Sequence, residues 1–200
     1  MFGFLRNKIN GIQIHSSVVI ARGTKIWENS KIRENSVIGS NCNLGRNVYV
    51  GPGVKIGDQV KIQNNSLIYE PAVIEDSVFI GPGVIFTNDL YPRAVNEDGS
   101  TKNESDWIKQ AVLVRLGASI GAGAICVAPV KIGQWSMIAA GSVVVNDVPN
   151  FALVAGIPAK QIGWVGKPGE RLIKEDEEIY RCPKTGTKYK LENSDSLTEL

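Results

Sequence analysis

An aliphatic residue recurs every six positions along this chain, at Ile14, Ile20, Ile26, Ile32, Ile38, Leu44, Val50, Ile56, Ile62, Ile68, Ile74 and Ile80, with Phe86 next in the series. After an interruption the step resumes at Val114, Ile120, Cys126, Ile132, Ile138 and Val144. A fixed period of this kind marks a repeat architecture, in which each short unit buries its apolar face only by stacking on its neighbours. Two positions before each aliphatic stands a small or β-branched residue, such as Val18, Thr24, Ser30, Ser36, Cys42 or Val48. Residues two apart share one face of a strand, so both positions point inward. Three positions after the aliphatic, Gly or Asn is frequent: Gly23, Asn29, Asn35, Asn41, Asn47, Gly53, Asn65, Gly83, Gly117, Gly123 and Gly141. These types tolerate the left-handed backbone that a sharp corner needs. A sandwich of hairpins would break the six-residue phase every strand or two, and the phase does not break before Phe86. The pattern predicts an all-β solenoid, a parallel β-helix, over 14–164, with 1–13 as an N-terminal extension and 165–200 as a C-terminal cap and tail.

Composition narrows what such a solenoid does. The 200 residues, 43% of them hydrophobic, suit one folded unit. A net charge of +2, from 22 basic and 20 acidic residues dispersed along the chain, provides no field for nucleic acid as the main partner. Three cysteines, Cys42, Cys126 and Cys182, do not suit a disulfide framework and fit a reducing compartment, so a cytoplasmic protein is expected. The start, Met1 to Gln13, lacks the apolar run of a signal peptide, and no segment reaches the ~20 apolar residues of a bilayer span. Integral membrane association is not expected; a frayed terminus is preferred over an amphipathic membrane contact by Met1 to Leu5. No metal is expected either. The single histidine, His15, cannot supply the several ligands of a zinc hydratase, and Arg181 to Gly186 is half a zinc knuckle with no second Cys-x-x-Cys pair.

Between Phe86 and Val114 the step is no multiple of six, and 89–111 is polar and must loop out of the solenoid. A long excursion from a regular scaffold is usually functional, and Tyr91, Pro92 and Trp107 argue against simple disorder. From Val165 the hexads stop. Leu172, Ile173 and Ile179 stand at helical spacing in the charged run Glu170 to Arg181, which predicts a short helix over the open end, followed by a mobile tail after Glu192.

The hexads resemble those of the hexapeptide-repeat acyltransferases, which implies triangular coils, a left-handed wind and a homotrimer. Further blocks sharpen the likeness: Lys61-Ile62-Gln63-Asn64-Asn65, Val84-Ile85-Phe86-Thr87-Asn88 with Pro92-Arg93, and Gly141 to Val144 with the run from Asp147 to Trp164. Together these resemble the bacterial N-acetyltransferases that act on nucleotide-linked 3-amino sugars for surface polysaccharides. The resemblance implies an acetyl-coenzyme A-dependent reaction on a UDP- or dTDP-linked amino sugar, with Asn88 beside the sugar amine and the following loop enclosing the substrate. Asn88 also stands off the corner register where Asn has a purely structural explanation, whereas Asn65 stands on it.

Acyl transfer to an amine needs an unprotonated nitrogen, a thioester carbonyl held close, and a donor for the developing oxyanion. His15 stands about four coils below Asn88, ~19 Å at ~4.8 Å per stacked strand, beyond proton-transfer reach. A missing histidine base favours an amine over a hydroxyl acceptor. Asn88 would then orient the amine and Asp89 accept its proton, with Gln63, Asn64, Tyr91 and Arg93 contacting substrate. The small residues and backbone amides of Ala139, Ala140 and Gly141 would take a pantetheine arm, and Lys160 a phosphate. The alternatives are transfer to another small amine or alcohol, and a non-catalytic structural solenoid.

Overall fold

The computed structural model describes residues 5–6, 10–192 and 196–200, and the expectation for the terminus at Met1 to Leu5 falls, apart from the Leu5 backbone, outside them. No helix occurs among the described residues. Most hexads contribute a strand of only two residues, and every third strand pairs in parallel, so one coil takes 18 residues and the molecule is a three-sided prism. Its first face stacks Ile14, Ile32, Val50, Ile68, Phe86, Cys126 and Val144. The second stacks Ile20, Ile38, Ile56, Ile74, Val114 and Ile132. The third stacks Ile26, Leu44, Ile62, Ile80, Ile120, Ile138 and Val154.

These residues and the small ones two positions earlier form one continuous buried column. Where the earlier residue is polar it is satisfied from the next coil: the buried Ser30, Ser36 and Ser66 hydroxyls donate to the carbonyls of Gly45, Gly51 and Gly81 at 2.8, 2.8 and 2.9 Å. All eleven Gly and Asn positions expected at corners have positive φ, from 55° at Asn41 to 82° at Gly23. Gln59, Ser77, Trp135 and Phe151 adopt the same conformation at equivalent corners.

The insertion does not interrupt stacking. Phe86 pairs directly with Cys126 and Ile74 with Val114, so the excursion leaves and rejoins at the edge between the first and second faces. Its base is closed by the Gln110 N–H donating to Asn88 O at 2.9 Å.

The C-terminal part corrects the expected helix and mobile tail. The hairpin of Ala152–Gly156 and Ala159–Trp164 extends the third face, and beyond it Ile173–Lys174, Ile179–Arg181, Lys188–Glu192 and Ser196–Glu199 form an antiparallel sheet. Helical spacing misled because only Leu172 of the three aliphatics is buried, while Ile173 is 49% exposed. The apolar residues that anchor the segment are instead single buried positions on two paired strands, Tyr189 and Leu197. Tyr189 meets Phe151 edge-on at 5.2 Å between ring centroids and accepts a hydrogen bond from the Lys167 N–H at 3.2 Å. Leu172, Cys182, Tyr189 and Leu197 join the solenoid's own core, so the sheet closes the last coil.

Candidate functional site

The sequence-predicted residues fall on two edges of the prism, with the first face between them. Asn88, Asp89, Tyr91 and Arg93 stand at or beyond the edge where the insertion leaves. Gln63, Asn64, Ala139, Ala140 and Gly141 lie along the edge between the third and first faces, because each follows an inward residue of the third face by one to three positions. Within a single chain these groups do not meet.

At the insertion edge, strand geometry sets Asn88 over Glu70, two residues beyond the stacked pair Ile68 and Phe86. Asn88 is half-buried, and its side-chain amide makes no hydrogen bond among the described residues. Asp89 uses one carboxylate oxygen to accept the Tyr91 N–H at 2.9 Å, which turns the chain outward and leaves the other oxygen available. Asp89, Tyr91, Lys102, Asp106, Trp107 and Gln110 help line a pocket of about 280 Å³ under the insertion. Asp106 braces it by accepting from Asn96 Nδ2 at 3.2 Å and the Asn103 N–H at 2.8 Å. These bonds hold the Asp106 carboxyl below its usual range, the Asn103 backbone contributing most. Arg93 points along the exterior, its guanidinium bonded to Pro92 O at 3.0 Å, and does not line this pocket.

Two residues that sequence reasoning missed fasten the insertion to the solenoid. Lys109 Nζ lies 3.1 Å from Glu70 Oε1 and 5.6 Å from the centroid of the Trp107 ring. The second Glu70 oxygen is buried without a hydrogen-bond partner among the described residues. The signal was present in the sequence as a stacking relation, since Glu70 precedes Asn88 by 18 residues. His15 sits on the first face four stacking steps below Phe86 and bonds Ser17 Oγ at 2.8 Å.

On the other edge, Gln63 and Asn64 line a groove of about 290 Å³ together with Trp27, Asn43, Gly45 and Arg46. Asn64 also has a structural task. Its Oδ1 accepts the Arg46 N–H of the coil below at 3.0 Å, as the Asp58 and Asp76 carboxylates accept the N–H groups of Ser40 and Asp58 at 2.6 and 2.7 Å. Higher on the same edge, two amides expected to face a pantetheine arm are already committed. The Ala139 N–H donates to Val154 O at 2.9 Å and the Gly141 N–H to Ala122 O at 2.8 Å. What this edge offers an acyl-coenzyme A is a run of small side chains, half-buried at Ala139 and exposed at Ala140 and Gly141, with the exposed Lys160 on the adjoining hairpin. Small side chains for a narrow arm and an ammonium for a phosphate fit that ligand.

Fold and edges together define a solenoid of six-residue units that carries its polar apparatus outside an aliphatic core. Residues 35–70 match the family described as bacterial transferase hexapeptide (six repeats), and residues 117–145 the hexapeptide repeat of succinyl-transferase. Within those two stretches the chain carries hexapeptide repeats of the kind found in bacterial transferases. It is 39% identical over 79 residues to a dTDP-3-amino-3,6-dideoxy-alpha-D-galactopyranose 3-N-acetyltransferase of Aneurinibacillus thermoaerophilus, covering 39% of this chain and 40% of that protein. It is 30% identical over 102 residues to a serine acetyltransferase of Buchnera aphidicola, covering 50% of this chain and 38% of that one. The chain thus spans about two fifths of the length of these curated relatives. A hexapeptide transferase family protein from Anaplasma phagocytophilum superposes with a TM-score of 0.55 at 21% identity, over 79% of this chain and 81% of that one, a likeness of fold. No helix among the described residues is long and apolar enough to cross a membrane.

Proposed function

We propose that the protein is an acetyl-coenzyme A-dependent N-acetyltransferase acting on the amino group of a UDP- or dTDP-linked sugar, a 3-amino sugar in the first instance, in cytoplasmic assembly of surface polysaccharide. The observation that carries this reading is the insertion edge: Asn88, half-buried and with a free amide, stands at the base of a braced polar loop on an otherwise unbroken solenoid, next to Asp89, which lines the pocket under that loop. The match to a dTDP-amino-sugar acetyltransferase supports the substrate class.

In this reading the Asn88 side-chain carbonyl accepts a hydrogen bond from the amine and aims its lone pair. The nitrogen forms the amide bond as the carbon–sulfur bond of the thioester breaks. The free oxygen of Asp89 accepts the proton that the nitrogen loses, and the thiolate of coenzyme A leaves. A base of histidine strength is not required, because the free-amine fraction is already nucleophilic and its proton departs after attack.

Two edges separated by the first face become one site only if copies associate through that face. We propose a homotrimer in which the insertion edge of one copy meets the Gln63 and Asn64 edge of the next. The exterior of the first face supports this with a run of half-buried or exposed apolar side chains, Leu67, Ile85, Ile125 and Val143, flanked by Tyr69 and Val145.

The test is release of free thiol from acetyl-coenzyme A with a panel of UDP- and dTDP-linked 3-amino and 4-amino sugars, for the parent and Asn88→Ala. Turnover with one sugar is expected, reduced at least tenfold in the variant, since one oriented hydrogen bond at the reacting nitrogen is worth about 1.4 kcal/mol or more. No turnover with any sugar, together with no thermal stabilisation by coenzyme A, returns the protein to a structural solenoid.

A further inference from the structure

Trp27 follows its inward aliphatic, Ile26, by one position, a place where many hexads carry glycine. Its equivalents in the next two coils are Gly45 and Gln63. The middle residue has no side chain and no room for one, because a Cβ at Gly45 would lie 2.4 Å from Asn64 Oδ1 and 2.7 Å from the Asn64 nitrogen. The result is a notch with the Gly45 backbone as floor and Trp27 and Gln63 as walls two coils apart, about 9.6 Å at ~4.8 Å per stacked strand. A planar ring stacked at ~3.5 Å on the Trp27 indole fits within that width and leaves the Gln63 amide free to reach the ring's edge. Trp27 is 49% exposed, so its indole is not spent on the core.

We propose that this notch is the seat of a pyrimidine-2,4-dione base, uracil or thymine, with the attached diphosphate on Arg46; the inference rests on the nucleotide-sugar reading above and assigns the base to a place. The hydrogen bonds already made in the groove decide which base edge it reads. The Trp27 indole N–H donates to Asn43 Oδ1 at 2.7 Å, and Asn64 Oδ1 accepts the Arg46 N–H at 3.0 Å. Each amide oxygen is turned toward the bond it already accepts, so Asn43 and Asn64 present their Nδ2 donors. Gln63 still has both an oxygen and an amide nitrogen to offer. Two donors beside one acceptor match the two carbonyls and the N3–H of uracil or thymine. Cytosine has an exocyclic amino group and a bare N3 on that edge, which sets donor against donor. Arg46 is exposed and forms no ion pair among the described residues, so its guanidinium is free for a diphosphate.

The experiment is calorimetric titration of the full chain with UDP, dTDP and CDP, repeated on Trp27→Ala, Trp27→Phe and Arg46→Ala, with thiol release and coenzyme A thermal shifts measured on the same preparations. The expected result is binding of UDP or dTDP at least tenfold tighter than CDP. Trp27→Ala should lose about tenfold or more, the usual worth of one base–aromatic stack, and Trp27→Phe should keep most of the stack while, with Asn43 Oδ1 freed, narrowing the preference over CDP. Arg46→Ala should weaken UDP while leaving uridine unchanged. If Trp27→Ala, folded by its thermal melt, binds UDP or dTDP like the parent while thiol release on a nucleotide sugar persists, the base sits elsewhere and the transferase reading stands alone. If no nucleoside diphosphate binds but thiol is released to an unlinked amine, the notch assignment falls and acetyl transfer survives. If neither binding nor release occurs, both readings fall.

Discussion

Asn65 and Asn88 are the same residue type in different situations, and the difference lies in the backbone. Asn65 holds φ at 62° on a corner, where its Oδ1 accepts from Asn47 Nδ2 at 2.9 Å, one coil to the next. Asn88 has no left-handed φ, so nothing in the corner explains an asparagine there. Replacing Asn65 with Ala removes the short polar side chain that makes a left-handed backbone tolerable and that accepts from Asn47, and is expected to cost about 1–2 kcal/mol in urea or thermal unfolding, while coenzyme A stabilisation of the folded protein is unchanged. A variant as stable as the parent would remove the corner from the account. Sequence alone made this distinction legible because the register is rigid. It did not reveal Trp135 or Phe151 as corner residues, since their positive φ is imposed by surroundings and not favoured by their type. The Trp135 ring lies where a Cβ on Gly117 would be, 2.5 Å away, so a bare glycine one coil below makes room for it.

The insertion and the C-terminal sheet are the elements that periodicity could not describe. A polar excursion from 89 to 111 was evident from the broken phase, but not that Lys109 ties it back to Glu70 across a coil, because that pair depends on an 18-residue stacking relation and a fold back of the chain. Both side chains are partly shielded, and the ammonium also lies over the Trp107 ring. Lys109→Ala therefore releases a clasp worth on the order of 1–2 kcal/mol, and tryptic cleavage after Arg93 and Lys102 is expected to accelerate about fivefold or more, with the solenoid still resistant. Unchanged cleavage would show that the hydrogen bond between Gln110 and Asn88 holds the loop without it. In the tail, Lys188–Glu192 and Ser196–Glu199 pair as antiparallel strands that each bury a single residue, Tyr189 and Leu197, too sparse a signal to show a period of two beside the charged run before it.

At the scale of the molecule, the three faces have different exteriors. The second and third mix lysines, at Lys55, Lys131, Lys25 and Lys61, with exposed apolar residues such as Val37 and Phe79, whereas the upper first face presents an unbroken apolar run of Leu67, Ile85, Ile125 and Val143. Ile85→Lys puts a charge in the middle of that apolar run, and light scattering after size exclusion is expected to find the parent as a trimer and the variant as a monomer with unchanged circular dichroism. A monomeric parent would sink the shared-site arrangement. The architecture was readable from the hexads; which face the proposed trimer would share was not, because inward residues are alike on all three and only the outward ones differ.

The 18-residue coil also sets the rules by which such a chain can lengthen or shorten. Loss or gain of one whole coil between Ile62 and Phe86 would keep every downstream residue on its own side and merely move the two functional edges apart or together along the axis. Loss of a single hexad would leave the core equally well filled, yet turn everything after it by a third of a revolution and carry Asn88 to a different edge from the one the proposed site requires. Selection for folding alone would pass that deletion; only selection for chemistry would remove it.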